Sequence, residues 1–352
     1  MNIFLVALLA VTVFRARIMH QPDVESYISH AHTTRINGLF ILIVFYAHVR
    51  TYIPVDPHAD SWMLGLATGL GQLMVALFLF YSGFGVHESI RRKPGYVQSI
   101  PVKRFGVTWV NFACVVAIYA LVGLLLGRDF TLAQVVLAFT GWTSVGNSAW
   151  YIFAILVLYA LTFVVYSLVG SCPHLALAAM FAVTLAFSLL MWWAKDFSAT
   201  YSYNTALCYP LGMAWSAYRA PVEEWLRGAH SWRRWLFLLV TTTAGFVVVN
   251  NYAGMHYLVF QMAALWYCAV AVLVTMVVHL DSPVLAWCGR NLFWIYVLQR
   301  LPMMVLTSAG WAEYRYVFVV VSLMVTVGLT IVMSRLMRPV LRRIVGVGKT
   351  RQ

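Results

Sequence analysis

The sequence predicts an all-α, polytopic integral membrane bundle of about ten transmembrane helices. Three observations predict it. First, 62% of the 352 residues are hydrophobic and only 10% are charged, with a mean hydropathy of +0.81. A soluble domain carries roughly a quarter charged residues, so this chain cannot cover its surface with polar groups and must present apolar surface to lipid. Second, the apolar residues fall into runs of about 20, the length of helix that crosses a ~30 Å hydrocarbon core. Third, the basic residues collect in alternate connections between those runs.

The expected spans are 36–53, 62–86, 105–127, 149–169, 174–194, 201–219, 234–250, 256–279, 284–306 and 316–334. Segment 130–142 is too short to span and reads as a re-entrant or interfacial piece. Strands are excluded, because an open sheet edge leaves backbone groups unsatisfied in lipid. If the first span runs outward, all but Arg50, Arg128, Lys195, Arg300 and Arg315 of the 24 Lys and Arg lie in cytoplasmic segments. That is the positive-inside pattern, and it places both ends of the main body in the cytoplasm of a cell-membrane protein. The formal net charge of +13 therefore reports topology and not nucleic-acid binding.

The chain divides into an N-terminal apolar segment and polar lead-in (1–34), a transmembrane domain (35–335) and a basic cytoplasmic tail (336–352). The run MNIFLVALLAVTVF is short for a span and lacks the basic start of a signal peptide. It reads either as an extra anchor helix or as the product of an upstream start, with Met19 as the alternative. On the second reading residues 1–18 are dispensable. Gly65 and Gly69 form a G-x-x-x-G, with Gly71, Gly83 and Gly85 following, and are expected to allow close helix packing. Pro210 is expected to kink 201–219. The five cysteines include no C-x-x-C pair and read as small buried residues, with no metal site.

Ionisable groups inside the membrane are costly and mark function. Of ten histidines, only His48 lies well inside an expected span, roughly 18 Å from its start at 1.5 Å per residue. Imidazole suits proton transfer because its unperturbed pKa lies near neutrality. The alternative is a packing histidine. No H-x4-D, G-x-S-x-G, H-E-x-x-H or P-loop pattern occurs, and Ser82 in YSGFG lacks the spacing of a nucleophile elbow.

The run NGLFILIVFYAH (Asn37–His48) resembles the opening helix of the acyltransferase 3 family, in which a basic residue precedes a histidine by eleven positions. FYSGFGVHESIRRK (Phe80–Lys93), followed by Lys103–Phe105, is similar to the family's second-helix exit and basic loop. SAWYIFAILVLY (Ser148–Tyr159), YNTALCYPLGM (Tyr203–Met213) and CGRNLFWIYVLQRLPM (Cys288–Met303) resemble later helices. The resemblance covers about residues 33–305. Two positions depart from it: Asn37 stands at the basic position, and Gln299 stands where many members have histidine. Eleven residues return to within ~20° of the starting direction, so Asn37 and His48 share a helix face. Arg35, thirteen residues away, falls at ~220°, on the opposite face.

The resemblance implies transfer of an acyl group, most often acetyl, from cytoplasmic acyl-CoA to a hydroxyl of a cell-surface glycan or lipid-linked saccharide. No bound cofactor is implied; acetyl-CoA or another acyl-CoA is a co-substrate. His48 would be the base, supported by Asn37 and Arg35. Arg91, Arg92, Lys93, Lys103 and Arg104, in the segment 87–104, would meet the anionic end of coenzyme A, or else serve only as a topological anchor. Asn147 and Trp150 would shape the acceptor side. A transporter using His48 as a relay or ligand, or an inactive membrane scaffold, remains the alternative.

Overall fold

A computed structural model describes residues 1–197 and 199–347. It is 76% helical, and its only strands among the described residues are two of two residues each, which establishes an all-α membrane architecture. In order, the elements are α1 (Asn2–Val13), β1 (Arg17–Ile18), α2 (His30–Val49), α3 (Ser61–Leu70), α4 (Leu73–Arg92), α5 (Tyr96–Ile100), α6 (Val107–Leu125) and α7 (Leu132–Ala138). Then come α8 (Trp150–Val169), α9 (Pro173–Ala194), α10 (Cys208–Trp225), α11 (Ser231–Asn251) and α12 (Tyr257–Thr275). The last elements are β2 (Val278–His279), α13 (Pro283–Arg290), α14 (Leu292–Leu298), α15 (Arg300–Ser308) and α16 (Arg315–Val347).

Among the described residues, seven helices are long and apolar enough to cross a membrane. They are α4, the continuous run α5–α6, α8, α9, α11, α12 and α16. The remaining expected crossings are the 20-residue α2, the 18-residue α10 and the broken run α13–α15. The lipid-facing surface carries exposed Leu121, Leu125, Leu168, Leu190, Trp193 and Phe237.

Two reciprocal glycine crossings hold the centre together. A Cβ on Gly38 of α2 would meet Leu285 O at 1.9 Å, and one on Gly289 of α13 would meet Thr34 O at 1.7 Å. Likewise, a Cβ on Gly83 of α4 would lie 2.0 Å from Tyr209 O, and one on Gly212 of α10 would lie 1.9 Å from Phe80 O. Lipid provides no hydrophobic drive for helix association, so close backbone approach and van der Waals contact must do the work. Gly65 and Gly69, expected at such a contact, have nothing within 4 Å of where a Cβ would stand.

Other expectations change for local reasons. The span 62–86 is two helices, α3 and α4, turned at Gly71 with φ +47°. Pro210 kinks nothing: α10 begins at Cys208, so Pro210 falls in the first turn, where a missing N–H costs no hydrogen bond. The span 284–306 breaks at Asn291 and Gln299. Each side-chain amide turns back to donate to a carbonyl of the preceding turn, Asn291 Nδ2 to Trp287 O at 2.9 Å and Gln299 Nε2 to Tyr296 O at 3.1 Å. The 87–104 segment is mostly helix. Only Lys93–Gly95 separate α4 from α5, and Pro101–Gly106 widen into a π-helical turn carrying Lys103 and Arg104. The basic tail continues α16 as far as residue 347; Lys349 and Arg351 lie outside the described residues.

The N-terminal segment is docked against the body. Met1 is buried in a cluster with Phe45, Tyr46, Val49, Met303 and Phe318, with Phe4 and Leu5 packed against it. Its amine pairs with buried Asp60, which also takes Arg315 Nη1 at 2.9 Å. At the other end β1 pairs antiparallel with β2, Arg17 opposite His279. Arg17 pairs with Asp281, which takes Arg35 Nη1 at 3.3 Å. His279 Nε2 is 3.3 Å from Asp23 Oδ2, and its ring lies 4.5 Å from that of His32. Residues 1–18 thus pack against and pair with the body.

Candidate active site

His48 sits one residue before the end of α2. That helix starts at Ser29, whose side chain accepts from His32 N, an N-cap satisfying one of the free donors of a first turn. The crossing at Gly38 and Gly289 then sets its height against α13. The His48 ring lies between two cavities, one of about 470 Å³ and one of about 160 Å³, and lines both. Its Nδ1 is buried without a hydrogen-bond partner. The Tyr296 ring of α14 is 6.4 Å away.

The larger cavity is roofed by the connection from α7 to α8. Gly141 and Gly146 take φ of +82° and +112° there, a region open to glycine at little cost. Asn147 is 1% exposed. Its Oδ1 accepts from Val145 N at 3.1 Å, and its Nδ2 has no partner. One side of the amide therefore holds the loop, and the other is a buried donor without a partner. Trp150, the first residue of α8, lines both cavities and meets Tyr201 edge-on at 6.1 Å.

Two cations also line the larger cavity. Arg300, at the start of α15, donates from Nε to Tyr52 OH at 2.9 Å. Lys195, capping α9, donates to Trp142 O at 3.3 Å and stands 3.8 Å over the Trp142 ring. Beside it Asp196, Phe197 and Ala199 hold positive φ, a strained rim of the kind found around ligand sites.

The expected site residues therefore fall into separate groups. His48, Asn147 and Trp150 come together around one cavity. Asn37 and Arg35 do not line it. Asn37, on the same helix, keeps a buried Oδ1 without a partner, while Arg35 turns to Asp281. The basic group lies at the opposite, arginine-rich end. Arg92 Nη2 and Arg91 Nη1 pair with Glu88 at 2.7 and 3.4 Å, and Arg91 also donates to Ser216 O at 2.8 Å. Lys93 and Lys103 are exposed. Arg104 points inward, donating from Nε to Tyr96 OH at 2.7 Å. Between the ends runs a column of buried tyrosines. Tyr159 OH is 3.0 Å from Ser82 Oγ, Tyr209 OH is 3.0 Å from Thr162 Oγ1, and the Tyr151 and Tyr296 rings are 5.4 Å apart.

A model of the acyltransferase 3 family, described as an acyltransferase domain, matches residues 36–335. The protein belongs to the acyltransferase 3 family. No curated protein and no solved structure matches this acyltransferase. Within it, sequence reasoning used Arg300 and Lys195 only for topology and did not single out Tyr296 or Trp142. Arg300 was findable, since a cation inside the expected span 284–306 is costly and so a marker of function.

Proposed function

We propose that this acyltransferase moves an acyl group, acetyl being the simplest, from acyl-CoA to a hydroxyl of a glycan or lipid-linked saccharide. The observation that carries the reading is His48, which lines two cavities and keeps a buried Nδ1 without a partner. The acceptor binds in the larger cavity among Trp150, Tyr201 and Asn147, aromatic faces and amides being suited to sugar rings and hydroxyls. The nucleotide end of the donor meets the arginine-rich end, which faces the cytoplasm on the positive-inside pattern. Its pantetheine arm follows the tyrosine column toward His48.

In the transfer, His48 Nε2 takes the proton of the acceptor hydroxyl as its oxygen attacks the thioester carbonyl carbon. A C–O bond forms, and the tetrahedral oxyanion lies within reach of donors such as Asn147 Nδ2. The C–S bond then breaks, and His48 returns the proton to the departing coenzyme A sulfur.

The test is transfer of label from acetyl-CoA in vesicles holding the purified protein, supplied with saccharide extracted from host membranes. Labelled saccharide that is lost in His48→Ala supports the reading. Full transfer by a correctly inserted His48→Ala protein, or solute uptake with no labelled product, overturns it.

A further inference from the structure

Arg300 is a half-buried guanidinium beside a cavity, and no carboxylate pairs with it among the described residues. Arg35, Arg219 and Arg315 are also half-buried and each has one, whereas Arg50, Arg104 and Arg234 share its lack of one among the described residues; of these four, Arg300 is the one that lines the larger cavity. Arg300 is instead held by a neutral group, Tyr52, through its Nε, leaving the terminal fork for another partner. A desolvated cation without a counter-charge is expensive, and a guanidinium fork matches the two oxygens of a carboxylate or phosphate.

The same cavity contains a second cation, Lys195, and no Asp or Glu among its described lining residues. It also holds the unpartnered Nδ2 of Asn147, whose side chain is almost wholly buried. Two cations, an amide donor and no acid form a lining complementary to an oxyanion. We infer that the acceptor is an anionic saccharide, whose carboxylate or phosphate is bound by Arg300 and Lys195 close to the hydroxyl that His48 serves. This inference rests on the acceptor occupying the His48 cavity. Anion recognition would also orient that hydroxyl, since a bidentate contact fixes direction as well as position.

The experiment reads binding without any donor, by quenching of tryptophan fluorescence in the protein held in lipid nanodiscs. Three probes are compared: a neutral disaccharide, the same disaccharide oxidised to a terminal uronate, and the same disaccharide carrying a 6-phosphate. At least one anionic form is expected to bind about tenfold tighter than the neutral one, with an advantage that shrinks as salt is raised. Which form gains identifies the group as carboxylate or phosphate. Arg300→Gln should remove most of the advantage and Arg300→Lys should keep part of it, which separates charge recognition from loss of fold. Equal binding of all three probes overturns the inference, as does an anion preference that survives Arg300→Gln combined with Lys195→Gln. Acyl transfer to a neutral saccharide with no anion preference would leave the proposed reaction standing and this inference refuted. Anion preference without any transfer would do the reverse.

Discussion

His48 of α2 and Arg300 of α15 line one cavity. An imidazole and a tethered guanidinium are thus presented together to whatever enters. Asn147 faces the same space, which makes it the first residue to test. Asn147→Ala should lower kcat/KM for the saccharide by about 10- to 100-fold, mostly through kcat if Nδ2 serves the oxyanion. Steady-state kinetics with varied acceptor decide this, and a change confined to KM would assign Asn147 to ground-state binding alone.

The glycine crossings predict a sharp contrast. Gly289→Leu would drive a side chain into the backbone of Thr34, which cannot retreat without separating α2 from α13. It should cost at least about 1–3 kcal/mol and lower yield from the membrane. Gly65→Ala, with nothing within 4 Å, should match the parent. Thermal unfolding in detergent compares the two.

Removing residues 1–18 should destabilise the protein. It deletes the packing of Phe4 and Leu5 and leaves Asp60 with Arg315 as its remaining ion-pair partner. It also takes away the Arg17–Asp281 pair. A melting temperature several degrees lower is the expected result, and an unchanged one would show that α1 contributes no net stability.

Replacing Arg91, Arg92 and Lys93 together by Gln should raise KM for acyl-CoA more than it lowers kcat, because contacts remote from the reacting carbon bind ground and transition states alike. The bond from Arg91 to Ser216 O ties α4 to α10, so melting temperature is measured alongside. An unchanged KM in a well-folded variant would place the donor elsewhere.

Acid should loosen the contact between β1 and β2. Burial pushes the His279 imidazole below its ordinary value of 6.5, against the upward pull of Asp23 and Asp281 and with Arg17 and Arg35 adding to the depression; His32 faces it as well. A histidine with a depressed folded pKa contributes stability that is fully present above its unfolded value and lost as pH falls through and below it. The melting temperature should therefore drop between about pH 7.5 and pH 5.5, and drop less in His279→Gln. Equal drops in both proteins would remove His279 as the cause.

The chain alone determined the membrane class, the approximate spans and the choice of His48. These follow from one-dimensional properties: composition, the length of apolar runs, and an ionisable residue where lipid makes it costly. The divergence of Arg35 was equally legible, because helical periodicity is local, and Arg35 does turn to Asp281. What the chain could not disclose is which distant residues share a space. Arg300, Lys195 and Trp142 reach the His48 cavity from three different segments, and only packing decides that. The same holds for the breaks at Gly71 and Gln299, where a backbone turn and a buried amide override an apolar run that reads as one straight helix. It holds too for α1, whose short apolar run packs on distant residues through Met1, Phe4 and Leu5 and whose amine meets Asp60. Periodicity is written along one segment, whereas close approach and charge pairing are properties of two.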